Sequence, residues 1–212
     1  MKLSREVAFE WMGWIERADT MIEAATSAQA SVVVVDLDFR RPKMHRMFSN
    51  ARVQGVTNVI LGELKLKDAV QKSEYEGLDF LTAGAIPPNP AELLSSNELR
   101  EMFETLSSQY DHVILDSSPI APVTDATIIS QHVHGVVMVV RCGKTHRKAV
   151  MFANQQLRKV SNNVLGVVLN DVEISDSSYG SYQYYRYGYS AYKDGETRSS
   201  PSVPAAGVDT SH

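Results

Sequence analysis

Hydrophobic residues follow two different periods along this chain, and together the two periods predict helices alternating with strands. Between Val7 and Ala25, apolar residues recur at intervals of three and four, which lines them along one face of a helix that Ser4 would cap. Four consecutive valines follow at Val32–Val35, a β-branched run without polar alternation that is typical of a strand buried on both faces. The start of the chain therefore predicts a helix followed by a buried strand.

The signature of a buried strand returns further along the chain, at residues 79–81, 112–115, 135–140 and 164–169. Asn89-Pro90-Ala91-Glu92 combines a cap residue, a first-turn proline and an early glutamate, so it predicts the start of a helix. Helical spacing continues from Asn97 to Leu106. Strands that alternate with helices favour an α/β fold, in which a doubly wound, mostly parallel sheet is covered by helices.

The composition changes near residue 175, which divides the chain into a domain and a tail. Residues 1–174 carry the pattern of strands and helices, and we expect them to form the domain. Residues 175–212 contain no Leu, Ile, Met, Phe or Trp, and they are rich first in Tyr and then in Ser and Pro. Because so little apolar surface cannot offset the entropy of ordering the chain, we expect this tail to be disordered.

Charge and cysteine content narrow the class of protein. The chain has 212 residues, a net charge of −4 and a pI near 5.9, which argues against a nucleic-acid-binding protein. A single cysteine, Cys142, excludes a disulfide framework and a Cys-x-x-Cys metal clamp. No apolar run reaches about 18 residues, and the N-terminus does not resemble a secretory signal, so we expect a cytoplasmic protein.

Polar side chains follow three of the predicted strands at their carboxyl ends. Asp36 and Asp38 come directly after the valine run, Asp116 follows residues 112–115, and Asn170 follows residues 164–169. Any one such Asp is more often a helix cap or a turn former. Together they point to a ligand site, because ligands of doubly wound sheets bind beyond the carboxyl ends of the strands. Carboxylates that meet there favour Mg²⁺.

Five sequence blocks in this order resemble the cytoplasmic kinase domain of the bacterial tyrosine kinases that regulate capsule and exopolysaccharide synthesis. The blocks lie within residues 31–172 and read VVVVDLDFRRPKMHRMF, GVTNVILGE, LDFLTAGAIPPNPAELL, YDHVILDSSPIAPVTDA and VLGVVLN. The resemblance implies a doubly wound sheet of the P-loop NTPase type that uses ATP and Mg²⁺. It also implies the reaction of ATP with protein tyrosine to give ADP and phosphotyrosine.

The resemblance also assigns roles to residues at the strand ends. Asp36 and Asp38 fall in the family's second Asp motif, where one carboxylate acts on the acceptor hydroxyl and the other helps to hold Mg²⁺. Asp116 falls in the Walker B position, which acts on the metal and its water shell. Asn170 corresponds to a position near the adenine in related partitioning ATPases. Independently of the resemblance, Arg40 belongs to a basic segment of the kind that usually forms a solvated helix face, but beside Asp38 it is a candidate to receive the phosphate of the cofactor or an anionic partner surface.

A cluster of phenols in the tail supplies the expected phosphate acceptors. A sticky low-complexity segment is the alternative interpretation of this cluster. Each phosphate would add about −1.5 to −2 charges, which would favour release of a subunit contact. By resemblance, the partners are a second copy or an active homologue, a membrane activator or polysaccharide export protein that holds the chain at the inner face of the plasma membrane, and a tyrosine phosphatase. The seven tyrosines are Tyr179, Tyr182, Tyr184, Tyr185, Tyr187, Tyr189 and Tyr192.

One motif that the reaction requires is absent from the sequence. The phosphate loop G-x-x-x-x-G-K-[ST] should precede Val32, yet Gly13 is the only glycine and Lys2 the only lysine before Asp36. Spacing in the family places the loop lysine near Trp14–Glu16, where bulky side chains and a carboxylate stand instead. We also expect the strand that should carry the loop to be missing, which would leave the sheet incomplete on its N-terminal side.

Three explanations of the missing loop remain open. The chain is a truncated or wrongly started product, a degenerate pseudokinase, or a protein whose partner supplies the phosphate site. We favour a truncated or degenerate kinase with little autonomous activity, since the loop neutralises and positions the phosphates. A non-catalytic module whose tail is phosphorylated by an active relative is the alternative function. A partitioning-type ATPase is less consistent with the tyrosine tail.

Overall fold

The central feature of the molecule is a parallel sheet. The computed structural model describes residues 5–10, 30–46, 54–120, 123–160 and 163–172, and of residues 5–10 it describes the backbone alone. The strands are β1 (Arg5–Glu10), β2 (Val32–Asp36), β3 (Gln71–Lys72), β4 (Leu78–Leu81), β5 (His112–Ser117), β6 (Gly135–Arg141) and β7 (Val164–Asn170). They lie in the order β3-β4-β2-β5-β1-β6-β7, and only the β3–β4 pair within this described sheet is antiparallel.

Helices connect the strands, as parallel pairing requires. They are α1 (Val56–Ile60), α2 (Leu66–Ala69), α3 (Pro90–Leu94), α4 (Asn97–Gln109), α5 (Asp125–Ile129) and α6 (Arg147–Val160), and a 3₁₀ turn covers Met44–Arg46. Helix α4 begins where the Ser96 hydroxyl accepts a hydrogen bond from the amide of Leu99 at 3.2 Å. No helix in these described ranges is both long enough and apolar enough to cross a bilayer.

Both faces of β2 are covered, which explains its run of valines. On one face, Val33 and Val35 belong to the main core cluster, to which α4 contributes Leu99, Met102, Phe103 and Leu106. On the other face, Val32 packs with Leu78, beside Val34 and Ile114. The positions of the strands and helices predicted from residue 32 onwards are confirmed, with small differences at the element ends. The prediction that residues 164–169 form a buried strand is wrong in one respect, because β7 is the last strand in the described sheet order and most of its side chains are exposed.

The N-terminal segment differs from the expectation of a helix. Residues 5–10 form β1, which pairs in parallel with β5 on one side and with β6 on the other. The predicted helical period rested mostly on residues beyond Glu10, and residues 11–29 lie outside the described part. Pairing on both edges overrides weak local periodicity. The expectation that a strand is missing in front of β2 is therefore wrong.

The chain divides into two units at residue 172. The first unit is Met1–Val172, which holds the whole sheet described above. The second is Glu173–His212. The predicted tail, with all seven tyrosines, lies outside the described residues, so the predicted boundary at residue 174 stays a prediction.

Candidate functional site

The structure brings the carboxylates of β2 and β5 to the same edge of the sheet. Asp36 and Asp116 are register partners on these neighbouring parallel strands. The amide of Leu37 donates to the carbonyl of Asp116 at 2.8 Å, which ties the loop after β2 to the end of β5. The carboxyl ends of the two central strands therefore carry an acidic pair, in the place where doubly wound sheets bind ligands.

Backbone amides hold the Asp36 carboxylate in place. Its Oδ1 accepts from the amide of Asp38 at 3.1 Å, and its Oδ2 accepts from the amide of Met44 at 3.1 Å. The residue is completely buried. Burial raises the pKa of Asp36 to about 6, although the hydrogen bonds from these amides oppose the shift. The two hydrogen bonds make Asp36 the anchor of the loop that carries Asp38.

The ionised Asp116 carboxylate is less well stabilised than that of Asp36. Its Oδ1 is buried and has no hydrogen-bond partner among the described residues. Burial, and then the negative charges of Asp36 and Asp38, raise the pKa of Asp116 well above its ordinary value, while Lys43 opposes the shift. A cation between these groups would relieve the repulsion that burial intensifies.

The oxygen donors suit Mg²⁺ by their chemistry but do not form a closed cage. Within the described ranges, no group of three or more acidic, histidine or cysteine side chains is arranged to bind a metal ion. Protein-bound Mg²⁺ commonly takes one or two carboxylates and completes its shell with water and substrate phosphate. The buried Oδ1 of Asp116 fits such a partial ligand set.

An ion pair between the exposed Arg40 and the buried Asp125 connects the loop after β2 to the start of α5. The Arg40 guanidinium donates from Nε to Oδ2 of Asp125 at 2.6 Å and from Nη2 to Oδ1 at 3.0 Å. Asp125 is completely buried and also accepts from the Ser118 hydroxyl at 3.2 Å. Arg40, expected from the sequence to bind the cofactor, is thus engaged by a carboxylate that the sequence analysis did not single out.

Asn170 is not brought to the acidic pair. It ends β7, and strands β1 and β6 separate β7 from β5 in the sheet order. Its side chain is buried, and Oδ1 accepts from the amide of Asp171 at 2.8 Å. The place of Asn170 at the carboxyl edge is compatible with a nucleoside lying along that edge, and its role beside the adenine stays a prediction.

Strand β1 delivers the chain to the same edge as Asp116. In the parallel register, Phe9 is opposite Asp116 and Glu10 is opposite Ser117. The chain therefore leaves β1 beside the acidic pair, where a loop that binds phosphate would meet the metal. The sequence that follows is Trp11-Met12-Gly13-Trp14-Ile15-Glu16, without the required glycines, lysine and hydroxyl residue.

Comparison with known proteins identifies relatives of this chain by sequence. No family model matches the chain. The tyrosine-protein kinase YwqD of Bacillus subtilis is 37% identical over 163 residues, which cover 77% of this chain and 66% of that protein. The putative tyrosine-protein kinase CapB of Staphylococcus aureus is 36% identical over 167 residues, covering 78% of this chain and 72% of the relative.

Solved structures show the same fold. The kinase domain of the Escherichia coli tyrosine kinase ETK superposes with a TM-score of 0.74 at 26% identity, covering 82% of this chain and 70% of that chain. The septum site-determining protein MinD of Pyrococcus horikoshii, complexed with Mg-ADP, shares the fold at 19% identity, with a TM-score of 0.60 and coverage of 83% and 76%. The prediction of an α/β sheet of the P-loop NTPase type is confirmed. This chain belongs to the family of bacterial tyrosine-protein kinases.

Proposed function

We propose that this chain keeps the acidic half of a tyrosine kinase site, lacks the phosphate-binding half, and transfers little phosphate on its own. The proposal rests on one juxtaposition. Asp36 and Asp116 lie side by side at the carboxyl edge, next to the end of β1, and the sequence after β1 contains no phosphate loop. By family membership, the process served is capsule or exopolysaccharide synthesis and export.

The residues that remain have defined parts in such a reaction. Asp116 and one carboxylate of the Asp36/Asp38 pair would hold Mg²⁺, which neutralises charge on the β and γ phosphates when it is bound. The other carboxylate would accept the proton of the tyrosine hydroxyl. Asp38 is half-buried, whereas Asp36 is completely buried. The Oδ1 atom of Asp38 accepts hydrogen bonds from the amides of Arg40 at 3.2 Å and Arg41 at 3.1 Å. This orientation makes Asp38 the better candidate to meet an acceptor.

The missing loop removes most of the catalytic power. In P-loop enzymes, backbone amides and the loop lysine cradle the phosphates, so catalysis comes mainly from positioning and electrostatic stabilisation. Trp14 and Glu16 replace these groups with bulk and negative charge. The carboxylates alone would repel a triphosphate that arrives without its metal. Mg-ATP should therefore bind weakly, and phosphoryl transfer should be slow.

The tyrosine-rich segment supports a second candidate function. Seven tyrosines lie within fourteen residues, from Tyr179 to Tyr192. An active homologue would phosphorylate this segment in trans, and a tyrosine phosphatase would reverse the change. We expect a membrane activator or polysaccharide export protein to hold the complex at the inner face of the plasma membrane. In this role the chain is an interaction module and a kinase substrate.

Phosphate incorporation from labelled Mg-ATP tests both functions. The purified chain alone should incorporate little phosphate, and adding an active homologue should produce phosphotyrosine between residues 179 and 192, mapped by mass spectrometry. The matched control is Asp116→Asn, which should be phosphorylated in the mixture as well as the natural chain. Rapid autophosphorylation of the chain alone, lost in Asp116→Asn, would refute the proposal of impaired transfer. An unlabelled chain in the mixture would refute the substrate role.

A further inference from the structure

One buried carboxylate lies between the two loops that carry the acidic residues of the site. Asp125, the first residue of α5, is completely buried. It accepts two hydrogen bonds from the Arg40 guanidinium, at 2.6 and 3.0 Å, and one from the Ser118 hydroxyl, at 3.2 Å. Arg40 comes two residues after Asp38, and Ser118 comes two residues after Asp116. Asp125 therefore contacts both loops, in each case two residues beyond a carboxylate of the site.

The contact with Arg40 reaches the Asp38 carboxylate through the backbone. The Oδ1 atom of Asp38 accepts hydrogen bonds from the amides of Arg40 and Arg41. The direction of that carboxylate therefore depends on where the backbone of residues 40 and 41 lies. The bond between the guanidinium and Asp125 is bidentate, so it restricts the orientation of the Arg40 side chain as well as its distance. A shift of the Arg40 backbone would carry the Asp38 carboxylate with it.

The contact with Ser118 connects Asp125 to the strand that carries Asp116. Ser118 directly follows β5 and is buried. The backbones of the two loops already meet nearby, because the amide of Leu37 donates to the carbonyl of Asp116 at 2.8 Å. Asp125 adds a second connection, made by side chains and placed further along both loops. Two connections at different points fix the orientation of one loop relative to the other, which a single connection does not.

A carboxylate buried with an arginine partner suits positioning better than it suits stability alone. Taking charges out of water costs free energy that their attraction only offsets, and well-packed apolar side chains of similar volume often stabilise a protein as much or more. A bidentate ion pair, however, fixes directions and distances that apolar contacts leave loose. The completely buried Asp125 carboxylate is therefore best explained by the geometry that it imposes on its two partners.

We propose that Asp125 is a positioning residue that sets the place of the Asp38 carboxylate relative to Asp116. It acts through Arg40 and Ser118, and its own buried oxygens touch neither the metal nor the acceptor. The proposal rests on the proposed function, because it concerns the carboxylates that would hold Mg²⁺ and meet the tyrosine hydroxyl. It adds a residue to the site that does not lie at the end of a strand.

Hydrogen exchange of the full chain, followed by NMR, tests the positioning role without any ligand. The variant is Asp125→Asn, which keeps the size of the side chain but removes its charge. The amides of Arg40 and Arg41 should exchange at least about tenfold faster than in the natural chain, whereas amides within β2 and β5 should change only as far as global stability changes. The matched control is Arg141→Met, which breaks the ion pair with Asp171 and should leave both loop amides within about twofold of their natural rates.

A double variant separates positioning from global stability. In Arg40→Met combined with Asp125→Asn, no unpaired charge remains buried, so the free energy of unfolding should largely recover, although the loop has lost its ion pair with α5. The amides of residues 40 and 41 should therefore exchange as fast as in Asp125→Asn alone. The proposal is overturned if their protection returns with the stability, if exchange accelerates equally in the loop and in the strands, or if Asp125→Asn leaves loop exchange unchanged.

Binding of Mn²⁺, used in place of Mg²⁺ as a spectroscopic probe, relates this role to the proposed function. Electron paramagnetic resonance of the free ion should give a Kd that rises at least about tenfold in Asp125→Asn and in the double variant, and by less than about twofold in Arg141→Met. A Kd that the first two leave unchanged would overturn the positioning role. If the natural chain binds no Mn²⁺, the metal site of the proposed function is refuted instead, and the exchange rates still decide whether Asp125 holds the loop.

Discussion

At the scale of single residues, the acidic pair makes stability depend on pH in an unusual direction. An Asp titrates near 4 in an unfolded chain, whereas burial raises the pKa of Asp36 to about 6 in the native protein. Between these values the native state binds more protons than the unfolded state. The free energy of unfolding due to this group therefore falls as pH rises from about 4 to 6, and it stays lower above pH 6. The raised pKa of Asp116 acts in the same direction.

Asp116→Asn should prevent part of the loss of stability that the protein undergoes as the pH rises. The substitution deletes a charge that is repelled by Asp36 and Asp38, so the free energy of unfolding should rise by about 1–2 kcal/mol at pH 7.5 and change little at pH 4. Urea unfolding at several pH values measures the difference between the variant and the natural chain. Asp68→Asn, at an exposed site on α2, is the control. A difference that does not vary with pH would contradict this electrostatic explanation.

The Arg40–Asp125 ion pair should contribute more to the free energy of unfolding than is usual for a pair with a partly exposed arginine. Arg40→Met leaves the completely buried Asp125 carboxylate without its guanidinium partner, which should lower the free energy of unfolding by about 1–3 kcal/mol. Combining it with Asp125→Asn should recover much of the loss. Arg141→Met is the matched control, since its partner Asp171 is 40% exposed and regains water. Urea unfolding of these variants gives the values, and strictly additive losses would argue against the coupling.

The sequence alone singled out Asp36, Asp38 and Asp116, because each lies at or just after the end of an apolar run that predicts a strand. It did not indicate the role of Asp125, although that residue lies within a block that resembles the kinases. An Asp at the start of a helix is most often a cap or a first-turn acid, and the partner of Asp125, Arg40, lies 85 residues away in sequence. A single sequence contains no signal for such a contact. The protonation state of Asp36 is equally invisible, because it depends on burial created by the whole sheet.

At the scale of elements, local pattern predicted the buried strands well and the first strand badly. Strands β2 and β5 are rich in β-branched residues because apolar groups cover both of their faces, whereas β6 contributes Val136 and Met138 to the main core cluster. Strand β1 has a mixed sequence, Arg-Glu-Val-Ala-Phe-Glu, and its extended conformation follows from pairing with β5 and β6. Strand β3 has only two residues, too few for any period to be recognised.

Gly55, just before α1, allows a close approach to the backbone at the end of β4. A Cβ atom at Gly55 would lie 1.9 Å from the carbonyl oxygen of Thr82, and the amide of Val56 donates to that same carbonyl at 2.8 Å. Gly55→Ala must therefore push backbone apart, and it should lower the free energy of unfolding by about 2–3 kcal/mol. Gly166→Ala, where no atom of the described residues lies within 4 Å of the added carbon, should change it by less than about 0.5 kcal/mol. Thermal and urea unfolding compare the two, and equal effects would contradict the steric argument.

At the scale of the whole molecule, the sheet order determines which part of the chain meets the acidic pair. The order places β1 between β5 and β6, so the chain leaves β1 next to the Asp116 end of β5. The fold thus retains the position of a phosphate loop even though residues 11–16 have no such sequence. Topology of this kind is a property of all strands together. It could be expected from the resemblance to the kinases but not from local pattern.

Restoring the loop sequence should therefore restore nucleotide binding. In the natural chain, 2 mM Mg-ATP should raise Tm by less than about 2 °C, because a Kd of about 2 mM or weaker yields at most about 0.4 kcal/mol of stabilisation. Replacing the residues after Glu10 with a loop of the form G-x-x-x-x-G-K-T should bring the Kd down about 100-fold. The same nucleotide would then contribute about 2.7 kcal/mol and raise Tm by roughly 5–10 °C.

Substitution of the acidic pair provides the control for the loop replacement. Adding Asp36→Asn and Asp116→Asn to the replaced loop should abolish most of the gain seen with Mg-ATP, because the metal loses its protein ligands while the amides that cradle phosphate remain. Differential scanning calorimetry with Mg-ATP and with metal-free ATP separates the two contributions. If the replaced loop stabilises the protein equally with and without the carboxylates, the acidic edge takes no part in binding the metal–nucleotide complex. If it stabilises nothing, β1 does not present its loop to that edge.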